Sequence, residues 1–327
     1  ETPQAFAVAD VASLYPKPDT QINAPILRET FVSKPKSVTS NQAIKAIASV
    51  RTLYEACPLC AAKNIVSHRE GNCTGHPCYN PILPPTMQWK QCKSCGHVFT
   101  EGYFTPEAAN IIFSKTMPHQ AVGHNVEAQR VISARIIERV IPFAPKPNPD
   151  IHGAHSKTDS KCNDKFCRGD WLDVGFGNGS LIFTAEEWGF HAVGLDLRKE
   201  NAQALAALGI EAYCVPIEEL DFVNRFSVIS MADVLEHVPY PATALKAAQR
   251  LLQPHGALFL SMPNMDTMVW RSLDANNSNP YWGEIEHYHN FSRARLYAFL
   301  EEHGFSPVSY HISERYRACM EIVAVKV

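Results

Sequence analysis

The chain has 327 residues, with 46% apolar and 10% aromatic residues and a formal net charge of −3. This is enough for two domains and a sizeable core, and the lack of a basic excess or polybasic run disfavours nucleic acid and anionic membranes as partners. No run of about 18 apolar residues is present for a membrane span, and the first residues, ETPQAFAVAD, lack the charged and apolar regions of a signal peptide, so a cytoplasmic location is expected.

In chain order, residues 1–50 are rich in Pro, Ser and Thr. They are expected to form an arm, with one short helical stretch near Asn41–Arg51. Residues 51–105 are dense in Cys, Pro and Gly and lack long periodic segments. So short a piece cannot bury a core of its own, so a metal staple is expected. Residues 106–165 are expected to be a helical connector followed by a polar loop. Pro106 can open a helix, and Val126, Val131, Ile132, Ile136, Ile137, Val140 and Ile141 recur at helical spacing before Pro142 stops the run.

Over 166–327, strand and helix patterns alternate. WLDVGF, HAVGLDL, EAYCV, FSVISMAD and ALFLSMP read as strands. Ser180–Trp188, Ala202–Leu208, Ala242–Leu252 and Ser292–His303 read as helices, and two late strands fall near Pro307–His311 and Met320–Val327. The alternation predicts an α/β domain with a doubly wound, mostly parallel sheet.

Leu172-Asp173-Val174-Gly175-Phe176-Gly177-Asn178-Gly179 lies between the first strand and its helix. Glycines let the backbone turn sharply and approach a ligand closely. The spacing is G-x-G-x-G, not the G-x-G-x-x-G of dinucleotide folds. Asp173 just before the turn suits an ammonium group and would repel a pyrophosphate. Asp196, 21 residues after Gly175, ends the second strand, where an acid accepts hydrogen bonds from ribose hydroxyls.

These motifs resemble the class I S-adenosylmethionine-dependent methyltransferases over about residues 166–327. The resemblance implies a Rossmann-like fold. It places Gly175, Gly177 and Gly179 under the methionine moiety, with Asp173 nearby, and Asp196 of VGLDL on the ribose beside Leu197. Val215, Pro216 and Ile217 of CVPIEEL would flank the adenine, and Met231 and Ala232 of SMADVLEHV would line the cofactor.

Cys57-Pro-Leu-Cys60 and Cys92-Lys-Ser-Cys95 form two C-x2-C steps separated by 31 residues. Two such knuckles aim four thiolates at one point and suit a closed, tetrahedral, structural zinc site. The pattern resembles the N-terminal module of methyltransferases in sugar and natural-product pathways, where the module helps shape the substrate cleft. For Cys73, His76 and Cys78 in the intervening insert, and for Cys162 and Cys167 with His152 and His155, ordinary loops are expected over further metal sites. Cys214 is expected to be buried in a strand. His119 and His124 are expected in a surface loop ahead of the connector helix.

Methyl transfer from a sulfonium is an in-line displacement, so the protein must position the acceptor and take its proton. Candidate catalytic residues are Glu236, His237, His287 and His289. In the resembling sugar C-methyltransferases the Glu-His pair takes the base role. In some quinone O-methyltransferases a similar motif binds a divalent metal, which here would fall on Asp233, Glu236 and His237. The expected acceptor is a small molecule, a nucleotide sugar or a natural-product intermediate. Two rivals are a nucleic-acid or protein methyltransferase that grips its target through the zinc module, and a non-catalytic protein that binds the cofactor only.

Overall fold

The computed structural model describes residues 50–113, 118–146, 167–316 and 318–327. The arm at 1–49 and His152, His155 and Cys162 lie outside the described residues.

The central sheet grows from chain segments that are apolar on both faces. In β6 (Asp170–Val174) every residue is buried, as expected for a parallel strand covered on both sides. Its neighbours are β7 (His191–Leu195), β8 (Glu211–Tyr213), β9 (Phe226–Ala232), β10 (Leu252–Pro263), β12 (Phe305–Ile312) and β13 (Cys319–Lys326). The spatial order is β8-β7-β6-β9-β10-β13-β12. β6 to β10 pair in parallel, whereas β13 is antiparallel to both β10 and β12. The strand order reverses between β6 and β9, where ligands bind in open α/β sheets.

Helices cover both faces. On one side α2 (Val126–Val140), α3 (Ser180–Glu187) and α4 (Lys199–Ala207) contribute Ile136, Ile137, Val140, Ile182, Ala185 and Leu205 to a core under Trp171 and Phe259. On the other, α5 (Pro241–Leu251) and α7 (Arg293–Glu301) contribute Leu245, Ala248, Leu296 and Phe299. Val131, counted in the apolar stripe of α2, is 62% exposed. It sits about 140° around the helix from Ile136, off the buried face.

The cysteine region folds as a second sheet. β2 (Ile65–Asn72), β3 (Thr86–Cys92) and β4 (Val98–Thr100) form an antiparallel meander, and β1 (Arg51–Leu53) pairs with β5 (Gly102–Phe104). Arg51 therefore begins a strand, where the sequence suggested the end of a helix. The meander's fourth strand is β11 (His289–Asn290), which pairs antiparallel with β4. Between β10 and β11 the chain leaves the main sheet. α6 (Met268–Ala275) and the following turn place Trp270 and Trp282 against Trp89 of β3, whose indole nitrogen donates to the Trp282 carbonyl at 2.9 Å. α1 (Pro106–Phe113) adds Ala108 and Ile112 to the same core.

Cys214 does not belong to a strand. It follows β8, the edge of the sheet, and is exposed, with its thiol on the Leu197 carbonyl at 3.5 Å. An edge strand has no neighbour to bury the residue after it. Cys167, expected in an ordinary loop, is disulfide-bonded.

Candidate active site and cysteine centre

A cleft of about 1180 Å³ opens at the carboxyl ends of β6, β7 and β9. At one end the glycine turn leaves β6. Gly175 has φ 67°, a left-handed conformation, and a Cβ there would meet Val234 Cγ2 at 2.8 Å. Gly175 and Gly177 line the cleft with Asp173, Asp196, Leu197, Ile217, Met231 and Ala232. Gly179 is not among the lining residues. It precedes α3 with φ 82°, and the Phe183 ring occupies the space its Cβ would need, so its glycine serves the helix start.

Asp173 is 3% exposed. Burial raises its carboxyl to about 7, against the hydroxyl of Ser230, which donates to Oδ1 at 2.6 Å. A buried carboxylate of this kind invites a cationic partner. Asp196 is held differently. Arg198 donates to Oδ1 through Nε at 2.9 Å and to Oδ2 through Nη2 at 2.7 Å, and Asn201 Nδ2 donates to Oδ2 at 3.3 Å. Arg198 also reaches Gln120 Oε1 at 2.5 Å. The turn is tied to the same segment, because Asn178 Nδ2 donates to the His124 carbonyl at 2.8 Å and Gly123 N donates to the Asn178 carbonyl at 3.0 Å. His119 and Gln120 line the cleft as well. The stretch ahead of α2, expected as plain surface loop, thus forms one wall.

The far end of the cleft is built by the loop after β9. Asp233 has φ 56° and turns the chain into a short helical turn, Leu235–His237. Ser261 Oγ donates to Asp233 Oδ1 at 3.1 Å, and Arg315 Nη2 lies 2.8 Å from Oδ2. Glu236 is 1% exposed, and neither of its oxygens has a hydrogen-bond partner. Burial, and then the charge of Asp233, raises its carboxyl well above the usual range. His237 Nδ1 lies 2.9 Å from the Glu286 carbonyl, so the proton sits on Nδ1 and Nε2 turns toward Glu236, 4.0 Å from Oε1. The His287 ring meets the His237 ring edge-on with centroids 4.6 Å apart, and its Nδ1 is buried without a partner. Burial, then the neighbouring His237, lowers His287 well below the ordinary imidazole range. Glu236, His237 and His287 each offer one ligand atom, all within 4.8 Å of one another.

His289 is not brought to this cluster. It is fully buried away from the cleft, with Nε2 on the Val238 carbonyl at 2.9 Å and Nδ1 on His97 Nε2 at 3.0 Å. Burial lowers it to about 3, so the ring is neutral. Residues that the sequence did not single out also line the cleft, among them Gln129, Glu218, Arg315, Tyr316 and Cys319. Arg315 follows β12 with no motif around it. Glu218, directly after Ile217, was the one with a local signal, being an acid within CVPIEEL.

The four cysteines of the C-x2-C steps converge. Cys57 Sγ lies 3.7 Å from Cys95 Sγ, and Cys60 Sγ lies 3.6 Å from Cys92 Sγ. Tetrahedral zinc with bonds of about 2.3 Å sets its sulfurs about 3.8 Å apart, so the donor set and spacing fit that ion. The Cys92 amide donates to the His97 carbonyl at 2.9 Å, closing the second knuckle. His76 of the insert contacts Glu284, and its Nδ1 accepts from the Cys78 amide at 3.1 Å. That bond leaves the ring proton on Nε2, facing the carboxylate, which accounts for the contact without an ion.

A sheet of this order, with a glycine turn after β6 and an acid at the end of β7, defines a class I methyltransferase domain. Residues 127–310 match the family described as "Methyltransferase domain", and the chain belongs to that family. The ubiquinone biosynthesis O-methyltransferase of Acinetobacter baumannii (strain AYE) is 33% identical over 102 residues, 28% of this chain and 43% of that protein. The enzyme of the same name from Serratia proteamaculans (strain 568) is 34% identical over 107 residues, 30% of this chain and 44% of that one. The chain spans less than half the length of these curated relatives. Among solved structures, the 1,6-didemethyltoxoflavin-N1-methyltransferase of Burkholderia thailandensis, with bound S-adenosylhomocysteine, is similar at a TM-score of 0.42 and 20% identity, over 63% of this chain and 82% of that one. No helix among the described residues is long and apolar enough to cross a membrane.

Proposed function

We propose that the protein transfers a methyl group from S-adenosylmethionine to a small-molecule acceptor, with His237 and Glu236 taking the acceptor's proton. One observation carries this reading: Asp173 and Asp196, at the ends of adjacent parallel strands, face one cleft on either side of a glycine turn. The turn leaves room for a ligand against the backbone, Asp173 matches an ammonium, and Asp196 matches paired hydroxyls. The cofactor, when bound, supplies a sulfonium-activated methyl group. The chain's own part is to hold the acceptor in line and receive a proton. His237, with its proton on Nδ1, offers Nε2 as acceptor, and Glu236 beside it, in its ionised form, stabilises the imidazolium that results.

The acceptor end is acidic. Asp233, Glu236, Glu284 and Glu286 line it, and the guanidinium of Arg315 is already matched by Asp233. Such a lining repels a diphosphate, which favours a natural-product intermediate without one over a nucleotide sugar. A second reading is that Glu236, His237 and His287 hold a divalent cation that binds the acceptor. The two unpartnered oxygens of Glu236 favour it. We read Cys57, Cys60, Cys92 and Cys95 as a structural zinc site.

Calorimetric titration with S-adenosylmethionine and S-adenosylhomocysteine tests the main reading. Binding at about micromolar affinity, abolished by D173N with the fold retained, is expected. No binding by folded, metal-replete protein overturns it. Magnesium or manganese binding that is lost in E236Q selects the cation reading.

A further inference from the structure

The two buried imidazoles His97 and His289 lie outside the cleft, and the chemistry proposed above does not use them. Their surroundings are apolar: His97 stacks on Phe99 with centroids 5.8 Å apart and meets Phe291 at 4.9 Å. A phenylalanine would satisfy such a position. An imidazole there must find polar partners or cost stability. The partners it finds run in one direction. His289 Nε2 donates to the Val238 carbonyl at 2.9 Å, so its Nδ1 is an acceptor, and His97 Nε2 donates to it at 3.0 Å. His97 in turn is fixed by its own carbonyl, which accepts from Cys92 N at 2.9 Å inside the second cysteine knuckle. The line runs from that knuckle through two rings to the residue directly after His237.

Two more bonds hold the same loop. Tyr288 N donates to the Glu236 carbonyl at 2.8 Å, and Tyr54 Oη donates to the Pro239 carbonyl at 2.7 Å. The carbonyls of Glu236, Val238 and Pro239 thus all accept from groups in or beside the cysteine-bearing sheet, which β11 joins through its pairing with β4. His237 donates the other way, to the Glu286 carbonyl at 2.9 Å.

We propose that His97 and His289 are positioning residues: their hydrogen-bonded relay fixes the loop at Val238 so that His237 keeps its proton on Nδ1 and turns Nε2 toward Glu236. The small sheet is then a clamp on the reacting loop as well as a wall of the cleft. That His237 takes the proton is the reading given above. The test below observes its ring and not methyl transfer, so the two can fail separately.

In 15N-labelled, metal-loaded protein, long-range proton–nitrogen correlation reads the tautomer of His237. The wild-type ring is expected with its proton on Nδ1. H289F removes the donor to Val238, and the His237 ring is expected to average between tautomers while S-adenosylmethionine affinity stays within about twofold, because the cofactor end is untouched. H289Q, whose amide can still donate to Val238, is expected to restore the Nδ1 proton. If H289F does not fold, H97F replaces it, with the same averaging expected. An unchanged His237 ring in either folded Phe variant overturns the proposal, as does averaging that H289Q fails to reverse. Failure of both Phe variants to fold also overturns it, since the pair would then be purely structural.

Discussion

Arg198 grips both oxygens of Asp196, two residues away in sequence, at 2.9 and 2.7 Å. With the Arg198 backbone N–H on Oδ1 at 2.9 Å and Asn201 Nδ2 on Oδ2 at 3.3 Å, the fork takes up about all four lone-pair sites of the carboxylate and fixes its orientation, so a ribose hydroxyl must share or displace one of these donors. R198A is expected to weaken S-adenosylmethionine binding by about tenfold, or ~1.4 kcal/mol, because the carboxylate loses its orientation and its charge partner. D196A should weaken it further. Calorimetry on both variants checks this; tighter binding to R198A would mean that the guanidinium competes with the ribose.

Cofactor affinity should depend on pH through Asp173. Burial raises this carboxyl to about 7 in the free protein, and pairing with an ammonium requires the ionised form. Below that pH a proton must leave before the pair can form, so affinity is expected to fall about tenfold per pH unit well below 7. The stability sign is opposite. A raised carboxyl favours the ligand-free fold fully below its ordinary value of 3.8, and that contribution is lost as pH rises through about 7. Titration in buffers of different ionisation enthalpy should show proton release on binding at pH 6 and little at pH 8.

For Glu236, burial raises the carboxyl well above its ordinary value of 4.5, and the neighbouring Asp233 adds to the shift. Its contribution to stability is present below 4.5 and is lost as pH rises through the folded value. E236Q replaces the neutral acid by an amide of the same shape. Thermal melts of E236Q should therefore lose less stability toward alkaline pH than wild type, while methyl transfer falls by about 100-fold or more. Equal alkaline sensitivity in the two proteins would mean that Glu236 is ionised and paired in the fold.

The cysteine centre makes a metal prediction. One divalent ion per chain is expected by elemental assay. C92S should lose it and destabilise the fold by several kcal/mol, because metal-binding energy in such small units is folding energy. Limited proteolysis should then cut first within residues 51–105. C214S, at an exposed thiol well away from the centre, should keep the ion and the melting temperature.

The chemistry-bearing motifs were legible because each is local. A strand that ends in Asp173, a glycine turn, an acid at the next strand end and two C-x2-C knuckles are short patterns whose geometry follows from adjacent residues. The alternation of strands and helices was legible for the same reason, to within a few residues at each end. Cys214 was misplaced because its burial depended on whether β8 had a neighbour, which periodicity does not report.

Pairings between distant segments were decided elsewhere. Nothing near His289 says that it completes a strand beside Val98 or that its ring meets His97, 192 residues earlier. Nothing near Arg315 says that it crosses to Asp233, and nothing in SMADVLEHV says that Glu236 is sealed from every donor. The sequence alone determined that the first strands belong to a methyltransferase domain and that four cysteines could meet at one point, because those depend on residue type at short spacing. Which histidines line the cleft and which is buried behind its loop was decided only by tertiary structure, because burial and hydrogen-bond partners come from the packing of segments far apart in the chain.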